Sequence, residues 1–367
     1  MEKSKSPTYW NYLKVKELLS LQDGIPGTEV STDELNFIVI HQVYELWFKL
    51  VIKDIRDIID LFDSESVDEE FIPLTVRKIK RMVTIFKLAS QHFELMEQMS
   101  PQDFIAFRGK LGTASGFQSY QLRIIEFLMG LAPSEMIKLG DATPMTHFQR
   151  NASKLDNGEE ILDKIQQAIN SKSLLDVIED WLFRTPIDGS KPFENEDKIT
   201  VQGFVNEYIL NFNLEQDKLS QLLQNMNTGS PDNIKIRFEE SKKSISDYLN
   251  AKDADEKERS RRLRIRAAIL FIESYQNLPL MAWPQKLIDQ LVELEESFII
   301  FRSRHARMVE RMIGRRIGTG GSSGVDYLES TTKYRIFKDI WGIRTILLQE
   351  DAIPPLRDKN FYSFVSS

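Results

Sequence analysis

Two histidines in this chain occupy positions where an apolar helix face would carry a leucine, and the chain has only 4 His in 367 residues. His41 interrupts Phe37-Ile38-Val39-Ile40-His41-Gln42, and His305 closes Phe301-Arg302-Ser303-Arg304-His305. An imidazole in such a stripe is hydrogen-bonded, bound to a metal or used for proton chemistry. With Gln42 beside it and Glu45 one turn on, His41 can act as a pocket base or as the partner of a substrate N–H. The neutral imidazole of His305 can ligate a metal, and in a helical chain without cysteine, haem iron is a natural candidate. Phe298, Phe301, Met308 and Met312 would then supply apolar walls. Arg302, Arg304, Arg307, Arg311, Arg315 and Arg316, around the same helix, would supply cations for the propionates. Taken alone, each histidine reads more simply as a satisfied core residue.

Two further segments have the right residue types for a site. Phe104-Ile105-Ala106-Phe107-Arg108 sets an arginine behind two aromatics and ahead of the turn Gly109 to Ser119. A guanidinium there can clamp a carboxylate in a two-pronged contact, and the rings can sandwich a flat substrate. A surface arginine capping a helix end is the plainer alternative. The loop Gly318-Thr319-Gly320-Gly321-Ser322-Ser323-Gly324 fails the phosphate-loop pattern, since Val325 rather than lysine follows its last glycine. It also fails the dinucleotide fingerprint, because a helix precedes it. Its backbone amides and the Thr319 hydroxyl can still cradle an anionic group.

Helices must position these residues. Phe37, His41, Tyr44, Phe48, Val51, Ile55, Ile58 and Phe62 recur in alternating steps of four and three, which predicts one long amphipathic helix. Ser31-Thr32-Asp33-Glu34 in front has the capping-box pattern. A second stripe, Leu291, Leu294, Phe298, Phe301, His305, Met308 and Met312, predicts another, ended by Gly314 and the glycine-rich loop. Further helices are expected at about 68–97, 101–108, 116–131, 158–169, 172–183, 200–225, 233–250, 256–276 and 333–348. No stretch alternates with period two between hairpin turns, so the fold class is all-α with no significant sheet. The short aromatic segment Thr8-Tyr9-Trp10-Asn11-Tyr12-Leu13 stands apart from the first long helix and is expected to pack on something else, such as a neighbouring subunit.

Composition narrows the partners. A formal net charge of -7 argues against nucleic acid. The absence of cysteine removes disulfides and thiolate chemistry and fits a cytoplasmic protein. No apolar signal core opens the chain, and no run approaches the ~18 uninterrupted apolar residues of a membrane span.

Together and in this order, the segments closely resemble the tryptophan 2,3-dioxygenase family. The resemblance rests on Tyr9 and Tyr12, on Phe37 to Gln42 with Glu45-Leu46-Trp47, and on Phe107-Arg108. It continues through Ala114-Ser115-Gly116-Phe117-Gln118-Ser119 with Gln121 and Arg123, and through Trp181-Leu182 with Arg184-Thr185-Pro186. It ends with Arg304-His305, Met312-Ile313-Gly314 and the glycine-rich loop with Tyr327-Leu328. It spans about residues 8–356 and is weakest over about 140–260. The joint presence of these motifs displaces the plainer readings of His41, Arg108 and His305.

The resemblance implies a helical haem-binding domain of the tryptophan/indoleamine dioxygenase type, usually a homotetramer. It implies cleavage of the indole C2–C3 bond of L-tryptophan by O2 to N-formyl-L-kynurenine. Carried over by motif, His305 is the proximal ligand of haem b iron, and His41 hydrogen-bonds the indole N–H. Arg108 binds the substrate carboxylate, and Thr319 its ammonium and carboxylate end. Phe37 and Phe104 wall the indole, while Ser115 and Gly116 lie against haem and bound oxygen. Tyr9 and Tyr12 reach a neighbour's pocket. The organisation implied is an aromatic arm over 1–30, a catalytic domain over 31–356 and a tail over 357–367.

There are departures. Thr32-Asp33-Glu34 stands where the family usually has His-Asp-Glu, so altered capping or local packing is expected there. Leu35-Asn36 is more polar than usual, and Phe301 replaces a frequent Trp. These leave open a homologous monooxygenase acting on tryptophan or a substituted tryptophan, or a non-catalytic haem or tryptophan sensor.

Overall fold

The computed structural model describes residues 6–112, 118–138, 144–153, 157–226, 230–316 and 324–362. Among them helices are the regular structure, and the only extended pairing is an isolated bridge between Ile187 and Ser190. The all-α expectation holds. By contact the chain separates into two compact units, one of residues 1–54, 82–171 and 297–334, the other of 55–81, 172–296 and 335–367.

The first unit holds every described residue singled out above as a site candidate. It opens with two one-turn helices, α1 (Tyr9–Tyr12) and α2 (Val15–Leu18), followed by the first part of α3 (Thr32–Phe62) and the second part of α4 (Phe71–Met96). Then come α5 (Pro101–Arg108), α6 (Tyr120–Met129), α7 (Pro144–Ala152) and α8 (Gly158–Asn170). The second unit contains α9 (Leu174–Arg184), α10 (Asp197–Asn225), α11 (Pro231–Leu249) and α12 (Arg259–Ser274). It also contains the first part of α13 (Ala282–Ile313), whose C-terminal half returns to the first unit with α14 (Gly324–Thr331), and α15 (Lys338–Arg344).

On α3 the predicted stripe is the buried one: Tyr44, Phe48, Val51, Ile55, Ile58 and Phe62 are core residues, whereas Phe37 and His41 at its start are half-buried. On α13, Leu291, Leu294, Phe298, Phe301, Met308 and Met312 are buried and His305 alone of that stripe is half-buried. Each fully buried ring or branched side chain contributes roughly 1.5–3 kcal/mol. Both stripes are therefore pinned along most of their length and are less buried at the histidines and at Phe37. By length and composition α3 is also apolar enough to cross a membrane, but it carries the buried Asp54 and half-buried Glu45, and its stripe lies in the core.

Local chemistry sets the ends. Ser100 and Asp103 form a reciprocal capping box on α5, with Pro101 in the first turn. The box expected at Ser31 is only half made: Ser31 Oγ accepts from the Glu34 N–H at 3.2 Å, but the Glu34 carboxylate pairs with Lys110. The helix expected at 333–348 contracts to α15, because the Glu295 carboxylate takes the Ile336 N–H and the Trp341 Nε1–H and fixes a turn before it. The helices α7 and α14 were not anticipated.

Candidate functional site

In the first unit, α3, α4, α5 and α13 bring the two histidines into one aromatic cluster. Phe37 packs on His41 with ring centroids 4.1 Å apart, and on Phe104 and Phe107 of α5 at 6.0 and 5.6 Å. His41 meets the edge of Tyr44 at 6.0 Å, and Tyr44 meets Phe301 at 5.8 Å. His305 lies parallel to Phe93, at 5.4 Å and 5° between planes, with Phe301 at 6.3 Å from it and 5.3 Å from Phe93. A continuous run of rings therefore leads from Phe104 to His305.

The protonation states are set by surroundings. His41 Nδ1 lies 2.7 Å from the Phe37 carbonyl oxygen. A carbonyl only accepts, so Nδ1 carries the proton and Nε2 presents a lone pair. Burial lowers the pKa of His41 from its ordinary value, partly offset by the Phe37 carbonyl and by Glu45. Glu45 is itself held by Gln121, whose Nε2 donates to its carbonyl and carboxylate oxygens, each at 2.8 Å. His305 is pushed down to about 4, first by burial and then by the electrostatic influence of His41. The two imidazoles are thus near enough to resist each other's charging, and both are neutral at pH 7.

A buried ionic cluster fixes the histidine-bearing end of α13. Glu126 of α6 accepts from Arg302, one turn before His305, at 2.6 Å and pairs with Arg123 at 2.7 Å. The Arg302 guanidinium is held over the Phe298 and Tyr334 rings at 4.3 and 4.9 Å. Removing one member of such a buried cluster costs on the order of 3–5 kcal/mol.

Several of the arginines named above as cations for the propionates already have acidic partners. Arg302 is committed to Glu126, Arg304 lies 3.4 Å from Glu97, Arg307 pairs with Glu310 and Glu329, and Arg315 pairs with Asp326. Arg311 and Arg316 are exposed. Arg108 is half-buried in the last turn of α5, four residues beyond Phe104 and hence on its face. Tyr9 and Tyr12 are 72% and 76% exposed, so their rings contribute nothing to the core of their own chain. Ser115, Gly116 and Thr319 lie outside the described residues. Sequence reasoning did not single out Phe93, which stacks on His305; in α4 it is one apolar residue among many.

The donor set discriminates between kinds of metal centre. Among the described residues no group of three or more His, Cys, Asp or Glu could hold a bare ion. His305 offers one neutral imidazole beside Phe93 and Phe301, and among the described residues neither of its nitrogens is hydrogen-bonded. One imidazole in an apolar slot suits a group that brings its other ligands with it, as a porphyrin does.

Among the described residues the architecture is all-helical, and a neutral acceptor histidine and a second neutral histidine share one cluster of aromatic rings. The family model for tryptophan 2,3-dioxygenase matches residues 1–347. The chain is 41% identical to tryptophan 2,3-dioxygenase 2 of Ralstonia nicotianae over 98% of both chains. It is 39% identical to tryptophan 2,3-dioxygenase of Sorangium cellulosum, over 98% of this chain and 88% of that one. Tryptophan 2,3-dioxygenase of Mayetiola destructor is 30% identical over 96% of this chain and 88% of its own. The chain belongs to the tryptophan 2,3-dioxygenase family.

Proposed function

We propose that the chain carries haem b on His305 and cleaves the indole C2–C3 bond of L-tryptophan with O2, forming N-formyl-L-kynurenine. The observation that carries this reading is the fixed tautomer of His41: Nε2 is an acceptor, and a run of ring contacts joins His41 to His305. That lone pair accepts the indole N–H. Phe37 and Phe104 bound the indole plane, and Arg108, one turn beyond Phe104, takes the amino-acid carboxylate. Ser115, Gly116 and Thr319 complete the site in this reading, against the cofactor and at the amino-acid end. Haem, when bound, supplies the activation of O2.

The protein's own contribution is orientation and exclusion of water, a proximity effect. Both oxygen atoms enter the product, so the reaction consumes no external reductant. His41 is an orienting group rather than an obligatory base, because burial lowers its basicity. Turnover of L-tryptophan by the reduced, haem-loaded protein, with N-formylkynurenine appearing in proportion, tests the reading. Tryptophan binding without turnover would make the protein a sensor.

The sign of the His41 shift gives a pH expectation. A pKa below the ordinary 6.5 keeps Nε2 unprotonated as pH falls through that value. Tryptophan affinity should therefore stay flat from pH 8 to below 6.5 and decline only at the lowered pKa. A decline centred at 6.5 or above would contradict the assignment.

The reading includes a cytoplasmic homotetramer. Two features support association: the exposed aromatics Tyr9, Trp10 and Tyr12, and the exposed apolar side chains Leu35, Val39 and Leu46 on α3. If the arm completes a neighbour's pocket, deleting residues 1–14 should lower turnover while haem content is kept. Full activity in that truncation would remove the arm from the site.

A further inference from the structure

Residues 21–29, between the arm and α3, are tied to the site at two points. Gln42, next to His41, donates from Nε2 to the Leu21 carbonyl at 2.8 Å and accepts from Gln22 Nε2 at 2.6 Å. Lys110, two residues after Arg108, donates from Nζ to the Glu29 carbonyl at 2.6 Å and to Glu34 Oε2 at 2.7 Å. Glu34 is 3% exposed and sits in the first turn of α3, one turn before Phe37. One strap of chain is thus joined to the helix bearing His41 and to the segment bearing Arg108.

The backbone around Lys110 explains why a pin is needed there. α5 gives way to a short 3-10 turn, Gly109–Leu111, closed by Gly112 at φ 53°, in the left-handed region that favours glycine. Glycine on both sides of Lys110 and Leu111 leaves the chain after Arg108 intrinsically permissive. The aromatic contacts of Phe104 and Phe107 hold the body of α5 against α3. The ammonium of Lys110 holds its end, satisfying a carboxylate that would otherwise be buried alone.

We infer that Lys110 is a positioning residue, which through Glu34 and Glu29 sets both the carboxylate-binding end of the site and the direction in which the aromatic arm leaves the subunit. This rests on the reading of Arg108 as the substrate clamp. A charge-specific pin two residues from the clamp acts on substrate capture, so its loss should appear in KM before kcat.

The test compares Lys110→Met and Lys110→Arg with wild type, each haem-loaded and full length, and repeats Lys110→Met in the chain lacking residues 1–14. Lys110→Met should raise KM for L-tryptophan on the order of tenfold to a hundredfold, with kcat and haem content nearly unchanged. Lys110→Arg, which keeps the charge, should recover most of the loss. In the truncated chain Lys110→Met should cost less than in the full chain, because part of its effect passes through the arm. Limited proteolysis should show faster cleavage within residues 18–30 of Lys110→Met, a readout independent of tryptophan chemistry. An unchanged KM, or a fall in kcat, haem content and melting temperature together that arginine does not rescue, would overturn the inference. A wild-type protein that fails to turn over tryptophan would instead overturn the functional reading, while proteolysis would still test the strap.

Discussion

Replacing His305 with Ala is expected to abolish stable haem binding while leaving the protein folded. His305 is neutral, packs beside Phe93 and Phe301 and makes no hydrogen bond among the described residues, so the fold does not depend on its polarity. Losing the ring removes two ring contacts, a destabilisation on the order of 0.5–3 kcal/mol. Arg302 and Glu126 still hold the helix one turn earlier. The measurement is the haem-to-protein ratio after reconstitution, read from the Soret band, beside a circular dichroism melt. Added imidazole should restore part of the haem by filling the vacated space. Normal haem content in His305→Ala would sink the proximal assignment.

The second large effect is expected at Arg108. Phe104 packs on Phe37 and Phe37 on His41, and in the proposed function an indole bound against these rings has its carboxylate taken by Arg108, one turn beyond Phe104. Substituting Ala leaves the substrate carboxylate without its charged partner, a loss on the order of 2–5 kcal/mol. In saturation kinetics that is roughly a thirtyfold to several-thousandfold rise in KM. Arg108→Lys should fall between, since a point charge cannot reproduce the two-pronged fork. Indole derivatives lacking the carboxylate should be nearly insensitive to the substitution. Unchanged saturation by L-tryptophan in Arg108→Ala would refute the clamp.

The long elements were legible because burial imposes a period. Along α3 and α13 the apolar stripe and the core face coincide, and the positions where the stripe breaks into histidine are half-buried. The wall role of Phe37 and Phe104 came from the family resemblance rather than from periodicity; the structure shows that the two rings pack on each other. What escaped is tertiary. The Lys110–Glu34 pair joins positions 76 apart, and no local pattern marks it. The same pair diverted Glu34 from its capping box, so a sound local rule lost to a buried charge that needed a partner. The arginines of α13 look interchangeable in sequence, yet Arg302 is buried against Glu126 of α6 and Arg311 is exposed. Helix α14 has eight residues, too few to display a period, and lacks the Ser-Pro start that opens the equally short α5.

The most direct test of the account supplies the reduced, haem-loaded protein with L-tryptophan and isotopically labelled O2 and weighs the product. Two labelled oxygen atoms in one molecule, at the mass of N-formylkynurenine, are the expected result. A product with a single labelled oxygen would contradict dioxygenation and make the chain a monooxygenase of the same fold.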